Sequence, residues 1–246
     1  MRNLARWLFF VVIFFKGSLA ISSPDPQELL ANSDRARGGG LLGIVWEIVL
    51  VSREGGKVSD EQRLEVRAEA DASVAETLAP ARFKGSKLLQ IGRNMWITRP
   101  GLSKPIPISP RQRLSGQAAN GDIAATNYVA DYNPSLVGES AVDDEKCYVL
   151  ELSAKHKRAT YDRVRYLISI SRGVGVVAEF YSLSGKLMKT ARFEYNNSIN
   201  YDGKRTPFVS RMIIRDALID AETTMEYGTV RVRAIPPAEF DLGQVQ

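Results

Sequence analysis

Residues 64–70 read Leu64-Glu65-Val66-Arg67-Ala68-Glu69-Ala70, apolar and charged in unbroken alternation. A period of two gives a β-strand with one dry face and one wet face. Segments of the same kind recur at 42–52, 57–71, 73–78, 87–92, 94–98, 135–140, 147–154, 161–171, 175–183, 186–196, 208–216 and 223–232. Turn signals separate them: Gly55-Gly56, Asp143-Asp144, Arg172-Gly173, Ser184-Gly185 and Asp202-Gly203. Short strands on tight turns run antiparallel, since parallel neighbours need long crossovers. About ten such strands are too many for one flat sheet. The expected fold is therefore mainly β: a strongly curved antiparallel sheet, an incomplete barrel, with short helices as a lid over its apolar concave face.

Large apolar groups fall on one face of the period: Trp46, Ile48, Leu64, Val66, Tyr148, Leu150, Val164, Tyr166, Ile168, Phe180, Met212, Ile214, Met225 and Tyr227. Arg63, Glu65, Arg67, Arg163, Arg165 and Arg215 fall on the other. Two short helices are available to cover the apolar side. Either they fill it or a hollow remains, and periodicity is compatible with both.

The covering segment is legible at 78–132. Two strands, 87–92 and 94–98, meet at a hairpin placed at Arg93-Asn94. Pro100, Pro105, Pro107 and Pro110 follow closely and exclude a helix or a central strand, so the chain runs extended along an edge. Gly116 to Gly121 reads as a polar loop, Asp122 as an N-cap, and 123–132 as a short amphipathic helix. The other helix starts at Asp25-Pro26-Gln27-Glu28, a capping box with proline at the first helical position. It is expected to end at Gly38-Gly39-Gly40, with Leu29, Leu30 and Ala36 as its apolar stripe.

Arg2 and Arg6 precede the apolar run 7–15, and Ser18-Leu19-Ala20 supplies the small residues that a signal peptidase reads. Residues 1–20 are expected to be a secretory signal peptide cleaved after Ala20. Nine apolar residues ended by Lys16 are too few for a membrane span. Loss of Arg2, Arg6 and Lys16 with this leader lowers the formal charge from +5 to +2. A nearly balanced surface gives no electrostatic case for nucleic acid. Residues 21–246 are expected to form a single domain. Cys147 is the one cysteine and has no internal partner, so the core alone must hold the fold.

Signatures of catalysis are missing. His156, the single histidine, sits in Lys155-His156-Lys157-Arg158, where three cations disfavour both metal binding and imidazole protonation. Cys147 reads as a small buried hydrophobe. Ser184-Gly185-Lys186 lacks the first glycine of a phosphate loop, and Gly173-x-Gly175 lacks the third glycine of a dinucleotide fingerprint. Asp122, Asp131 and Glu139 read as one cap and two solvated loop residues. No catalytic residue, metal site or cofactor is assigned. Arg111 and Arg113, beside the mouth of the concave face, are the candidate head-group contacts.

The run Leu78-Ala79-Pro80-Ala81-Arg82-Phe83-Lys84-Gly85, the strand holding Met95-Trp96, Pro105 to Ser109 and Gly116 to Ala124 resemble the outer-membrane lipoprotein-sorting (LolA-like) family. So does the stretch from Ala178 to Leu187 followed by Thr190-Ala191-Arg192-Phe193. The resemblance spans roughly Asp25 to Phe240 and points to the less characterised branch. It implies an unclosed barrel with helices plugging a hydrophobic cavity, so that residues 21–246 are one lipid- or lipoprotein-binding domain. The implied function is a periplasmic carrier, not an enzyme. It would bind lipid or the acyl chains of lipoproteins, sort them to the outer membrane, touch membranes transiently and work with an inner-membrane transporter. The expected cavity lining is Trp46, Ile48, Leu64, Val66, Trp96, Tyr148, Leu150, Tyr166, Ile168, Phe180, Met212, Ile214 and Met225. The alternative is a periplasmic lipid-sensing or protein-binding module that regulates a membrane transporter or signalling partner.

Overall fold

The structure, a computed structural model, describes residues 23–124 and 127–243; the expected signal peptide lies outside them. Strands dominate. β1 (Ile44–Glu54), β2 (Lys57–Val58), β3 (Gln62–Glu69), β4 (Ala72–Ala79), β5 (Lys87–Ile91), β6 (Asn94–Thr98) and β7 (Ile106–Ile108) form the first half of the sheet. β8 (Arg113–Ser115) and β9 (Ala118–Ala119) make a small hairpin within the crossing segment. The second half holds β10 (Tyr132–Val142), β11 (Glu145–Ala154), β12 (Arg163–Ser169), β13 (Gly175–Tyr181), β14 (Leu187–Glu194), β17 (Arg211–Asp216) and β18 (Ala221–Tyr227). β15 (Asn197–Tyr201) and β16 (Lys204–Phe208) form a separate hairpin, and β19 (Arg231–Val232) pairs with the start of β1.

The main path runs β10-β11-β12-β13-β14-β17-β18-β1-β3-β4-β5-β6-β7, and its neighbours pair antiparallel. That is thirteen strands along the path against the about ten expected; the alternating segments read from the sequence include all of them but β7, three residues around Pro107 that lack alternation. β7 and β10 stand at opposite ends and do not pair, so the barrel stays open. The β5–β6 turn is at Gly92-Arg93, one residue earlier than expected, because Gly92 takes the left-handed conformation (φ 55°).

Helix α1 (Pro26–Arg35) starts as the sequence predicts: the Asp25 carboxylate accepts the Gln27 N–H at 3.0 Å. It ends in glycines, with Gly38 at φ 90°. The helix predicted over 123–132 is instead two single turns, α2 (Asn120–Ile123) and α3 (Tyr128–Asp131). Asp122 is not the N-cap but the third helical residue, and its carboxylate reaches back to the Ala119 N–H at 2.9 Å. Tyr132 already belongs to β10, where its ring is fully buried.

One large apolar cluster fills the concave side. Leu30 from α1, Ile123 from α2, Tyr128 from α3, and Ile199 and Phe208 from the β15–β16 hairpin complete it. Phe208 meets the Trp46 ring edge-on at 5.8 Å. The convex face carries ladders of opposite charge, such as Arg67 with Glu65 at 2.7 Å and Glu76 at 2.9 Å. It is not wet throughout. Cys147, Val149, Leu167 and Val176 form a small buried cluster apart from the core. Phe240 docks as expected, with Leu242, over Val74 and Leu89.

Candidate functional site

The register of the strands gives the interior two ends. At the Ile44 end of β1, the β15–β16 hairpin folds over Trp46, and Tyr201 accepts the Leu42 N–H at 3.0 Å. At the opposite end Ser52 pairs with Thr223 across β1 and β18, and Lys189 faces Asp216 across β14 and β17. The crossing segment with β8, β9 and α2 covers this second end. Helix α1 lies against α3 and β10, at the unpaired side of the sheet.

Most of the expected lining residues converge. Trp46, Ile48, Leu64, Val66, Leu150, Tyr166, Ile168, Phe180, Met212, Ile214 and Met225 all belong to the one buried cluster. Tyr148 is half-buried opposite Ile168, on the same side. Trp96 does not belong with them. It pairs with Leu89, which packs with Val74 and Phe240 on the convex face, so Trp96 lines an open surface groove beside Pro107, Lys157 and Arg158. Its neighbours Met95 and Ile97 alternate to the inside, where Met95 joins the core.

The interior is occupied by these side chains. A largely apolar opening of about 120 Å³ lies at the flank, between Leu64, Phe83, Ile97 and Leu114. That is room for a few small groups, not for a long acyl chain. Leu114 belongs to β8, so displacement of the crossing segment enlarges this space directly.

A buried polar latch holds that segment. The Thr223 hydroxyl bonds Ser52 at 2.9 Å and accepts the Gln117 N–H at 2.8 Å. Gly116 fits above them because it has no side chain: a Cβ there would lie 2.0 Å from the Ser52 hydroxyl and 2.4 Å from that of Thr223. Lys189 donates to the Gln117 carbonyl at 2.7 Å and pairs with Asp122 at 3.4 Å. Tyr161 donates to the same Asp122 carboxylate at 2.6 Å, and burial pushes its phenol far above the usual range. The sequence reading missed Gln117, Lys189 and Thr223. An isolated lysine on a strand gives no pattern, and its partners are distant in sequence.

Arg111 and Arg113 sit at the rim with partners of their own. Arg111 pairs with Asp162 at 2.8 Å and donates to the Ala159 carbonyl at 2.9 Å; Arg113 pairs with Asp216 at 3.3 Å. Arg111 ties the crossing segment to the loop before β12, and Arg113 ties it to the end of β17. Asp131 is not a solvated loop residue: it pairs with Arg93 and lies 3.2 Å from His156.

The inner side of α1 is more polar than its predicted stripe. Leu29, Leu30 and Ala36 do face the core, but Ser33, Asp34 and Arg37 are buried with them. Ser33 bonds the Tyr166 hydroxyl at 2.9 Å and accepts the Gly175 N–H at 3.0 Å. Asp34 accepts the Val129 N–H at 2.8 Å, linking α1 to α3. Burial raises the Asp34 carboxyl to about 7, against the pull of that N–H and of Arg37. The spacing 30, 33, 34, 37 is itself one helix face, and that period was the available signal. Several atoms in the interior have no hydrogen-bond partner: Asp34 Oδ1, Arg37 Nη1, Trp46 Nε1, Tyr128 Oη and both amide atoms of Gln117. Among the described residues no cluster of His, Cys, Asp and Glu could hold a metal ion.

Comparison with known proteins agrees with this architecture. A family model described only as "Uncharacterized protein" matches residues 69–246. No curated protein matches the chain. A LolA superfamily protein from Nitrosomonas europaea is 33% identical, over 89% of this chain and 98% of its own, with a TM-score of 0.79. A DUF1329 family protein from Desulfovibrio piger is 23% identical over 91% of this chain and 100% of its own, at a TM-score of 0.74. A structure described as an outer membrane lipoprotein-sorting protein domain, from Vibrio parahaemolyticus, is 15% identical over 89% and 97%, at 0.76. The last two share the fold; the first shares sequence as well. With a related chain matched over nearly its whole length, and with the open sheet and its helical cover in place, the protein belongs to the LolA superfamily.

Proposed function

We propose that the protein is a periplasmic carrier that takes lipid, or the acyl chains of lipoproteins, into the apolar interior of its sheet and helps sort them to the outer membrane. One observation carries this reading. The interior of an unclosed sheet is covered by a segment and a helix held by side-chain bonds, not by strand pairing. Cover of that kind can leave without unfolding the sheet. The secretory leader read in the sequence and the relationship to a lipoprotein-sorting fold agree with it.

Loading requires that the crossing segment and α1 move outward, since packed side chains form the closed interior. The gain is sufficient in principle. Shielding a sixteen-carbon chain contributes on the order of 10 kcal/mol, at about 0.8 kcal/mol per methylene. Breaking the latch offsets part of this, which keeps binding reversible. Trp46, Ile48, Leu64, Val66, Leu150, Phe180 and Met225 are the proposed contacts for the chain. Arg111 and Arg113 act at the rim, where release of their ion pairs accompanies opening. A membrane transporter that engages the covered end is the partner this reading calls for.

The test is direct. The full chain is expressed in a Gram-negative host, purified from the periplasm and examined by native mass spectrometry. Acyl lipid is expected to co-purify, and a fluorescent fatty acid to bind and be displaced by lipid. Protein that carries no lipid and takes up no probe would show that the interior is a packed core and nothing more.

A further inference from the structure

Arg37 is the feature that acyl carriage alone leaves without a purpose. It is 4% exposed, and among the described residues its side chain makes no ion pair and its Nη1 has no hydrogen-bond partner. Its guanidinium lies 4.5 Å from the ring centre of Phe193 and 5.1 Å from that of Tyr128. Those π faces recover only part of the hydration that a buried guanidinium loses, and Arg cannot shed its proton to escape the cost. The C-terminal end of α1 adds a modest favourable field. Asp34 does not neutralise it by a bond, because one of its oxygens holds the Val129 N–H and the other has no partner. The Tyr128 hydroxyl faces the Arg37 guanidinium, whose charge acts on it, without completing a well-formed hydrogen bond. An unpaired cation and an unpaired phenol thus meet inside an apolar interior, where native proteins rarely leave such groups unmatched.

We propose that Arg37 and the Tyr128 hydroxyl receive the carboxylate of a free long-chain fatty acid, which binds head-inward with its tail along the apolar face of the sheet. The inference rests on the carrier reading, because the tail occupies the same interior. It adds the polarity of the ligand and its orientation.

Three features favour a carboxylate over a phosphate. First, the fork of the guanidinium together with the phenol O–H suits the two oxygens of a planar monoanion. Second, Arg37 and Lys189 are the buried cations among the described residues, and Lys189 is already held by Gln117 and Asp122. A dianionic phosphate would therefore face a single compensating charge. Third, the rings around the site are closely set: Tyr128 and Tyr166 are 5.6 Å apart, and Tyr166 and Phe193 6.2 Å. The branched substituents of a phosphodiester would have to displace more of these rings than a planar carboxylate does. Gly38, at φ 90° and directly after Arg37, gives the end of α1 a point about which to turn as the head enters.

The experiment compares two ligands with the same tail. Binding of oleate and of uncharged methyl oleate to the full chain is measured by calorimetry, each below its aggregation threshold, with monododecyl phosphate as a third ligand. The wild-type protein is expected to prefer oleate to its methyl ester by about tenfold or more, the ratio of one charge-assisted hydrogen bond. In Arg37→Met the ratio should fall to near one; in Arg37→Lys, which keeps the charge, part of it should remain. Equal binding of acid and ester by the wild type, or a preference that survives Arg37→Met, overturns the assignment. So does tighter binding of the phosphate than of oleate. If neither oleate nor its ester binds the wild type, acyl carriage itself fails, a result distinct from loss of preference. Should Arg37→Met not fold, the wild-type ratio and Arg37→Lys decide the matter.

Discussion

Replacement of Asp34 by Asn should change how the stability of the protein depends on pH. The carboxyl is fully buried, and burial lifts it from an ordinary value of 3.8 to about 7. Between those values the folded chain keeps the proton and the unfolded chain has lost it. Folding therefore takes up a proton, and stability falls as pH rises. Its contribution is complete below the unfolded value and is lost as pH climbs to the folded one. Each pH unit in that interval removes ~1.4 kcal/mol, so roughly 4 kcal/mol separates pH 4 from pH 7, as an upper limit. Asn keeps an oxygen for the Val129 N–H and has no proton to lose. Urea unfolding of both proteins at intervals from pH 4 to pH 8 measures the effect. Other groups titrate over this range, including Glu145, which its bond to Arg172 lowers, and Asp131, which burial raises, but both proteins share them. The difference between the two curves isolates Asp34. Wild type should lose stability relative to Asp34→Asn as pH rises, and the mutant should be the more stable at pH 8. Parallel curves would refute the claim that the Asp34 carboxyl is isolated from water.

Further outcomes follow from the latch and the core. Gly116→Ala places a Cβ against the Ser52 and Thr223 hydroxyls, so the crossing segment should detach; trypsin should then cut at Arg111 and Arg113 faster than in wild type. Lys189→Met leaves Asp122 without its cation, should cost about 3–5 kcal/mol in urea unfolding, and should speed exchange of bound fluorescent fatty acid. Unchanged exchange would show that the latch does not control access. Phe180→Ala removes a fully buried ring that stacks on Tyr161 at 4.0 Å and should cost about 3–5 kcal/mol. Cys147 is buried, which raises its thiol, so a thiol reagent should label it only after urea is added; rapid labelling of the native protein would contradict its place in the outer cluster.

The sheet was legible in the sequence because alternation is a local signal. Strand β3 shows it over nearly its whole length, and β11 and β12 show it in part, their Cys147–Leu150 and Tyr166–Ile168 runs being apolar on both faces; the inward residues of all three are those of the core. Capping chemistry is equally local, and the start of α1 followed from Asp25 and Pro26. What failed was non-local. Trp96 looked like lining because it is large and aromatic, yet its face is decided by its register with Leu89. Asp122 had the residue type of a cap, but Lys189 and Tyr161, far along the chain, hold it deep in the latch. The β15–β16 hairpin showed only its turn, because Asn197, Ser198, Asn200, Lys204 and Arg205 hide the two buried residues, Ile199 and Phe208. The polar face of α1 carries the helical period, but Ser33, Asp34 and Arg37 on it do not form an apolar stripe.

The two unpaired margins of the sheet bear on how the molecule meets others. β7 contains Pro107, which cannot donate to a neighbour, and Pro105 immediately precedes it. β10 carries Pro134 and a break in register between Leu136 and Gly138. Neither border offers the straight row of amides that an extended peptide or a sister molecule needs in order to add a strand. An open sheet of this size would otherwise invite polymerisation, and here both seams are blunted. Proline and the broken register thus make strand addition at either seam less favourable than approach through side chains, loops or the covered end.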